Sequence, residues 1–399
     1  MQGNSPILFI EINSFEFIFF VVNQNTEEKV EIIYKESIPM MGSLNQKISN
    51  QDSILTKVKE KIYLTENKFN IVFKEVILII DDFNCSLINL SGFKKLNGSQ
   101  LNKNDVTYIL NSLKSKINEI ENKKTILHIF NSKYILDNAI LNNLPIGLFG
   151  NFYSQELSFF LIDNNDYKNL DNFFIKCNLK IKKIISKSFV EGSIIVNDNL
   201  ECETFAKVKL GQDYSKIFFF ENAALKYVEN FEFGTNIILN DISKIIGLDK
   251  TIVMNILTSP DFCNQKKKEE ILDQKFFKSK NFRKIKKKLI FDIANARIEE
   301  MVEIIFSKNV NFTNFINKTK IPVFININEK FNVSCFIEDF ISKFSKTPGS
   351  IIKVIKKNDS EKFCESALKI VQYGWKKEAV PILQEKKSTI GRIFHKIFS

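Results

Sequence analysis

Glycine and histidine are scarce in this chain. Its 399 residues include 13 glycines, about 3%, and two histidines, against a usual glycine share of ~7%. No two glycines are adjacent, and none fall at the spacing of a G-x-x-x-x-G-K-[ST] or G-x-G-x-x-G phosphate loop. The nearest pair, Gly147 and Gly150, lies in PIGLFG, which has neither the Lys nor the third Gly of such loops. The histidines, His128 and His395, do not make an acid–base site. His128 sits in an apolar strand and reads as structural.

The six cysteines, at 85, 177, 202, 263, 335 and 364, contain no C-x-x-C, so no zinc or other metal site is expected. G-x-S-x-G and H-E-x-x-H are also missing. The opening MQGNSPILFIEINSFEFIFFVV has no basic n-region, and Glu11 and Glu16 interrupt its apolar run. It reads as a first buried strand rather than a signal peptide or spanning helix. Reduced thiols in the cytosol are the default expectation.

Phe is abundant instead, with 39 residues, and Ile, Lys and Asn recur throughout, the pattern of AT-rich codons. A 44% hydrophobic and 26% charged composition is that of a soluble globular protein of two or three domains. The net charge of +11 favours anionic partners: nucleic acid, acidic protein or an anionic membrane surface.

Strand-like runs occur at 7–12, 16–22, 30–34, 71–80, 84–90, 126–130, 157–162, 193–197, 204–210, 216–221 and 321–327. Helical periodicity occupies 52–62, 104–121, 169–179, 240–257, 291–307, 333–344 and 360–374. The alternation predicts an α/β fold. Triple-strand openings near 7–34 and 204–230 predict two related halves.

Two segments stand out in charge. Residues 266–288 hold eleven basic side chains against Glu269, Glu270 and Asp273, a net of +8. The tail, EKKSTIGRIFHKIFS, puts Ile390, Ile393, Phe394, Ile397 and Phe398 on one helical face. Arg392, His395 and Lys396 lie opposite, Lys386 and Lys387 precede, and Ser388 can cap the start. That is the pattern of a helix lying in a bilayer interface. Packing of the helix on its own domain is the other reading.

At 125–150 the chain reads TILHIFNSKYILDNAILNNLPIGLFG. This resembles the bacterial division protein FtsA family, whose extra subdomain carries ILH, a short strand ending in Tyr and Asp, then N-P-I-G-[ML]-x-G. LNKNDVTYIL (101–110), NLDNFFIKCNLKIKKIISKSFVEGSII (169–195), FGTNIILNDISKIIGL (233–248) and IANARIEEMVEII (293–305) are similar to further family stretches in the same order. The resemblance implies an actin-like, ribonuclease-H-like fold of two lobes around a nucleotide cleft, with an SHS2-type subdomain inserted in the first. The corresponding boundaries are lobe 1 at 6–83 and 166–200, the insert at 84–165, the lobe 2 core at 201–238, and a basic partner-binding subdomain at 239–310. The lobe 2 core and closing helix follow at 311–383, and the linker and membrane helix at 384–399.

The same resemblance implies a peripheral protein on the cytoplasmic face of the inner membrane at the division site. Its partners would be the tail of the tubulin-like FtsZ, further copies of itself, the anionic membrane, and other division proteins through the insert. The FtsZ tail would meet Lys278, Lys280, Arg283, Lys284, Lys286, Lys287 and Arg297. Rival readings are a pilus or secretion scaffold, or a nucleic-acid binder in which Phe276, Phe277 and Phe282 stack bases. The chain is read as binding no nucleic acid.

The cleft motifs depart from the family. D-x-G-[TS] becomes Glu11-Ile12-Asn13-Ser14, and D-x-G-x-x-x-T-D becomes Lys209-Leu210-Gly211-Gln212-Asp213-Tyr214-Ser215-Lys216. A-E-x-x-K aligns with Met254-Asn255-Ile256-Leu257-Thr258, and T-G-G-G with Asn326-Ile327-Asn328-Glu329. Gly234 and Asp241 keep family positions. ATP and Mg²⁺ binding, implied by the family, is therefore expected to be weak or lost. Alternatively, Lys209 and Lys216 contact phosphates as point charges.

Overall fold

The computed structural model describes residues 6–13, 16–24, 30–40, 51–81, 85–199, 202–259, 262, 269–277, 283–316, 321–327, 334–344, 350–354 and 360–374. Ser14, Lys278, Lys280, Asn328 and the tail residues Lys386, Lys387, Ile390, Arg392, Ile393, Phe394, Lys396, Ile397 and Phe398 lie outside them. The chain divides into two compact units: Met1–Glu203 with Glu221–Lys226 and Asn358–Ser399, and Thr204–Phe220 with Tyr227–Lys357.

In the first unit, β1 (Ile7–Ile12), β2 (Glu16–Gln24), β3 (Val30–Pro39), α1 (Gln51–Phe69) and β4 (Glu75–Ile80) lead into an insert. The insert comprises β5 (Cys85–Lys95), α2 (Lys103–Ile120), β6 (Lys124–Leu136), β7 (Ala139–Leu141) and β8 (Phe152–Asp163). Then come α3 (Asn164–Lys176), β9 (Lys180–Ser186) and α4 (Lys187–Asp198). One sheet has the order β3-β2-β1-β4-β9, and the insert forms a second, β5-β8-β6-β7. β1 runs antiparallel to β2 and parallel to β4. Central strands covered on both faces read as continuous apolar runs, and ILFIEI and EVILII do.

The insert's helix α2 starts at a capping box: the Asn102 side chain accepts from the Asp105 N–H while the Asp105 carboxylate accepts from the Asn102 N–H. The β6–β7 hairpin turns through Asp137 and Asn138, at φ 47° and 70°. These are the left-handed positions that a two-residue turn demands. Leu110, Ile117, Ile129, Leu157 and Phe159 form the core beneath α2.

In the second unit, β10 (Phe205–Leu210), β11 (Ser215–Glu221) and β12 (Ala224–Phe231) precede α5 (Asn236–Ile246), α6 (Lys250–Leu257), α7 (Lys287–Val302) and α8 (Val310–Ile316). β13 (Ile321–Ile327), α9 (Ser334–Phe344) and β14 (Ser350–Val354) follow. The strand order β12-β11-β10-β13-β14 repeats that of the first five-stranded sheet. β10 again pairs antiparallel with its successor and parallel with β13. The closing helix α10 (Ser360–Tyr373), assigned by the sequence to 311–383 of lobe 2, packs on α4 and β3 within the first unit.

The run 193–197, expected as a strand, lies inside α4. Ser193–Val196 is buried throughout, and a short apolar run without an exposed side carries no usable period. The helix expected over 240–257 is two, parted at Gly247, which ends α5 in the left-handed region at φ 64°. The helix expected over 291–307 finishes as a π-helical turn, Glu303–Ser307. β9 escapes the period-two signal because its first half, KIKK, is half-exposed and lysine-rich.

Candidate functional site

β1 carries Glu11 to the C-terminal end of the first sheet, where it is 4% exposed. Parallel pairing sets Ile12 beside Ile80, and the Asp81 N–H donates to the Ile12 carbonyl at 2.9 Å. Asp81 and Glu11 therefore meet at one sheet edge. Lys187, the first residue of α4, donates from Nζ to Glu11 Oε1 at 2.6 Å and lies 3.6 Å from Asp81 Oδ2. Glu191, one turn along α4, is also buried. Burial opposes the Lys187 charge, but the carboxylates of Glu11, Asp81 and Glu191 outweigh it and raise the ammonium well above its ordinary range. Asn13 Oδ1 accepts from the Glu16 N–H at 3.0 Å.

In the second unit the turn after β10 closes on itself. Gly211 N donates to Tyr214 O at 3.0 Å. The first N–H groups of α5 are all engaged within the protein. Thr235 N donates to Gly211 O, Asn236 N to Gln212 O, Ile237 N to Gly234 O and Ile238 N to Thr235 O. Asn236 Nδ2 donates to Asp213 Oδ1 at 2.9 Å, and Ser215 Oγ to Phe233 O at 2.8 Å. Strand register puts Lys209 opposite Lys216 on β11 and beside Asn326 on β13. Like charges directly opposite repel, and the Lys216 ammonium lies over the Tyr214 ring, 5.5 Å from its centroid.

Asp241, expected near the nucleotide, and Arg297, expected at the partner surface, form an ion pair, and Arg297 also bonds Glu300. The described part of the basic segment is cross-linked internally. Lys286 and Lys288 both reach Glu269, and the buried Lys287 reaches Glu270 at 2.9 Å. Arg283 donates to Gly247 O at 2.7 Å, where α5 ends. Lys284 is exposed. His128 is buried against Phe130, Phe160 and Phe189.

Asp81, Lys187 and Glu191 were not legible as site residues. Only the parallel pairing of β1, β4 and β9 brings them to Glu11, and that pairing is invisible in a linear motif. Among the described residues no group of three or more His, Cys, Asp or Glu is arranged to hold a metal ion. No helix among them is long and apolar enough to cross a membrane.

No protein-family model matches the chain. It is 21% identical over 243 residues to the cell division protein FtsA of Buchnera aphidicola subsp. Schizaphis graminum, covering 61% of this chain and 57% of that protein. It is likewise 21% identical over 219 residues to FtsA of Escherichia coli K12, covering 55% and 51%. The matches thus span little more than half the length of these relatives. Among solved structures, the PilM–PilN type IV pilus biogenesis complex superposes with a TM-score of 0.53 at 10% identity, over 92% of this chain and 98% of that one. Duplicated five-stranded sheets and that superposition give the chain the actin-like ATPase fold, and the FtsA matches show its sequence to be similar to that of FtsA.

Proposed function

We propose that the chain is an actin-like scaffold that tethers FtsZ filaments to the cytoplasmic membrane at the division site. The carrying observation is the FtsA likeness, which spans 61% of the chain and coincides with an actin-like fold. The amphipathic tail would supply the membrane contact, self-association would align many tails, and avidity would hold the assembly in place. The segment around 283–288 would receive the acidic FtsZ tail, and the insert built on α2 would meet other division proteins.

The nucleotide site is read as degenerate, with ATP and Mg²⁺ bound weakly or not at all. Three features support this. Glu11 is ion-paired to Lys187. The α5 N–H groups that an anion would need are taken by backbone carbonyls. The Lys216 ammonium of β11 lies over the Tyr214 ring of the second turn. The described residues therefore do not fit a magnesium–nucleotide.

The whole-length superposition on a pilus biogenesis complex favours a second reading, a pilus or secretion scaffold. Pull-down with an FtsZ tail peptide separates the two. Retention of that peptide supports the division tether, whereas retention of only a pilus inner-membrane peptide replaces it. Sedimentation with anionic liposomes tests the anchor: Phe394→Glu should leave the protein in the supernatant, and unchanged co-sedimentation contradicts it.

A further inference from the structure

We propose that Lys187 is a built-in replacement for the divalent cation at the first turn, so that the first unit is complete without metal. The inference rests on the degenerate-site reading and gives it a chemical cause.

Three carboxylates, Glu11, Asp81 and Glu191, are each less than a tenth exposed. Glu11 and Asp81 both reach the Lys187 ammonium, and two buried carboxylates this near one another ionise together only beside a cation. Carboxylate oxygens at the C-terminal ends of adjacent strands are the hard ligands that Mg²⁺ takes. Here the place between two of them holds an ammonium, 2.6 Å from Glu11 Oε1 and 3.6 Å from Asp81 Oδ2.

Lys187 is placed for this by the backbone rather than by chance reach. β9 pairs in parallel with β4, setting Ser186 beside Ile80, so the next residue opens α4 at the sheet edge where Asp81 follows β4. Glu191 shares α4, and Cys364 of α10 is a neutral thiol that burial, with the Glu11 and Glu361 charges and against that of Lys35, pushes up to about 12. A tethered ammonium cannot dissociate. The first unit would therefore keep one form whatever the Mg²⁺ concentration, as a constitutive scaffold requires.

The test compares wild type, Lys187→Met and Lys187→Arg, reading thermal melting in EDTA or millimolar MgCl₂ and Mn²⁺ binding by paramagnetic resonance. Wild type and Lys187→Arg should melt alike in both conditions and take up no stoichiometric Mn²⁺. Lys187→Met should melt lower in EDTA, recover in MgCl₂ and bind one Mn²⁺, and adding Glu11→Gln should abolish that binding. If Lys187→Met folds only when Mg²⁺ is present, the same conclusion follows. Stoichiometric Mn²⁺ on wild type that Glu11→Gln removes overturns the proposal, and so does a Lys187→Met protein indifferent to metal. Tight ATP–Mg²⁺ binding by wild type in calorimetry sinks the degenerate-site reading itself. A metal-indifferent Lys187→Met beside a wild type that still ignores ATP sinks only the role given to Lys187.

Discussion

Gly234 lies against the backbone of Gln212, so close that a Cβ there would fall 2.4 Å from the Gln212 carbonyl carbon and oxygen. Gly211 is held as tightly, its Cβ position 2.4 Å from Tyr214 O. Two of the chain's few glycines thus lock one turn, and neither contact involves a side chain that can swing away. Gly234→Ala must move backbone and should destabilise the second unit by about 1–3 kcal/mol. Gly98 has open space around its Cβ position but φ 82°, so Gly98→Ala should cost only about 1 kcal/mol. Urea melts of both variants check the ranking. An unchanged Gly234→Ala midpoint would contradict the closed turn.

Tyr134 and Tyr153 are buried on the α2 side of the insert, and Tyr153 Oη donates to Gln155 Oε1 at 2.7 Å. Burial pushes the Tyr134 phenol up to about 12 and raises Tyr153 further, with Tyr134 adding to the effect. An unfolded phenol ionises near ~10. Above that pH the unfolded chain releases protons that the folded chain keeps. The contribution to stability is therefore whole below pH ~10 and falls by ~1.4 kcal/mol per pH unit per phenol as pH rises towards the folded value. Tyr134→Phe should flatten the loss between pH ~10 and ~11, read as urea midpoints against pH. An identical slope in the variant would refute the assignment.

Legibility followed burial and range. β1, β4, β10 and β13 are doubly covered, so their composition alone marks them as strands. The strand expected over 193–197 is helical instead, because Ser193–Val196 is buried on every side and shows no period. Glu11, Gly211 and Gly234 could be located because family motifs carry them. Lys187 could not, since its partner Glu11 lies 176 residues away in sequence. Charge in the 266–288 segment is visible in the sequence, but which of its lysines are paired is not. Pairing of Lys286 and Lys288 with Glu269 depends on where the chain folds back.

The segment's basic residues should accordingly separate into two classes. Arg283 satisfies the Gly247 carbonyl at the left-handed end of α5. Arg283→Ala should lower stability by about 1 kcal/mol, the usual worth of such a bond. Lys284 is exposed, and Lys284→Ala should leave the melt unchanged while weakening any acidic peptide that binds here. Melting curves paired with peptide titrations at low and high salt distinguish the classes. Equal stability for both variants would mean that Arg283 is a surface charge like its neighbour.

Lys226 closes the Glu221–Lys226 segment of the first unit and pairs with the insert of that unit. Its Nζ lies 2.6 Å from Glu156 Oε2 and 3.0 Å from Ser132 Oγ, Asn222 Nδ2 donates to Ser132 O, and Asn89 Nδ2 donates to Lys226 O. Glu156 neighbours Leu157, which faces α2, so strand alternation puts Glu156 on the other face of the insert's sheet. The ion pair is 19% and 29% exposed, between the weak surface case and the buried one. Solvent screening limits its coupling to about 1 kcal/mol, measured by a double-mutant cycle of Lys226→Met and Glu156→Gln. The coupling should shrink in high salt, because part of the pair is solvated. Hydrogen exchange gives an independent reading, since the bonds at Asn89 and Asn222 are not ionic. If they seat the segment, amides at 221–226 will exchange faster in Asn222→Ala than in Glu156→Gln at high salt. If the ion pair alone seats it, the order reverses.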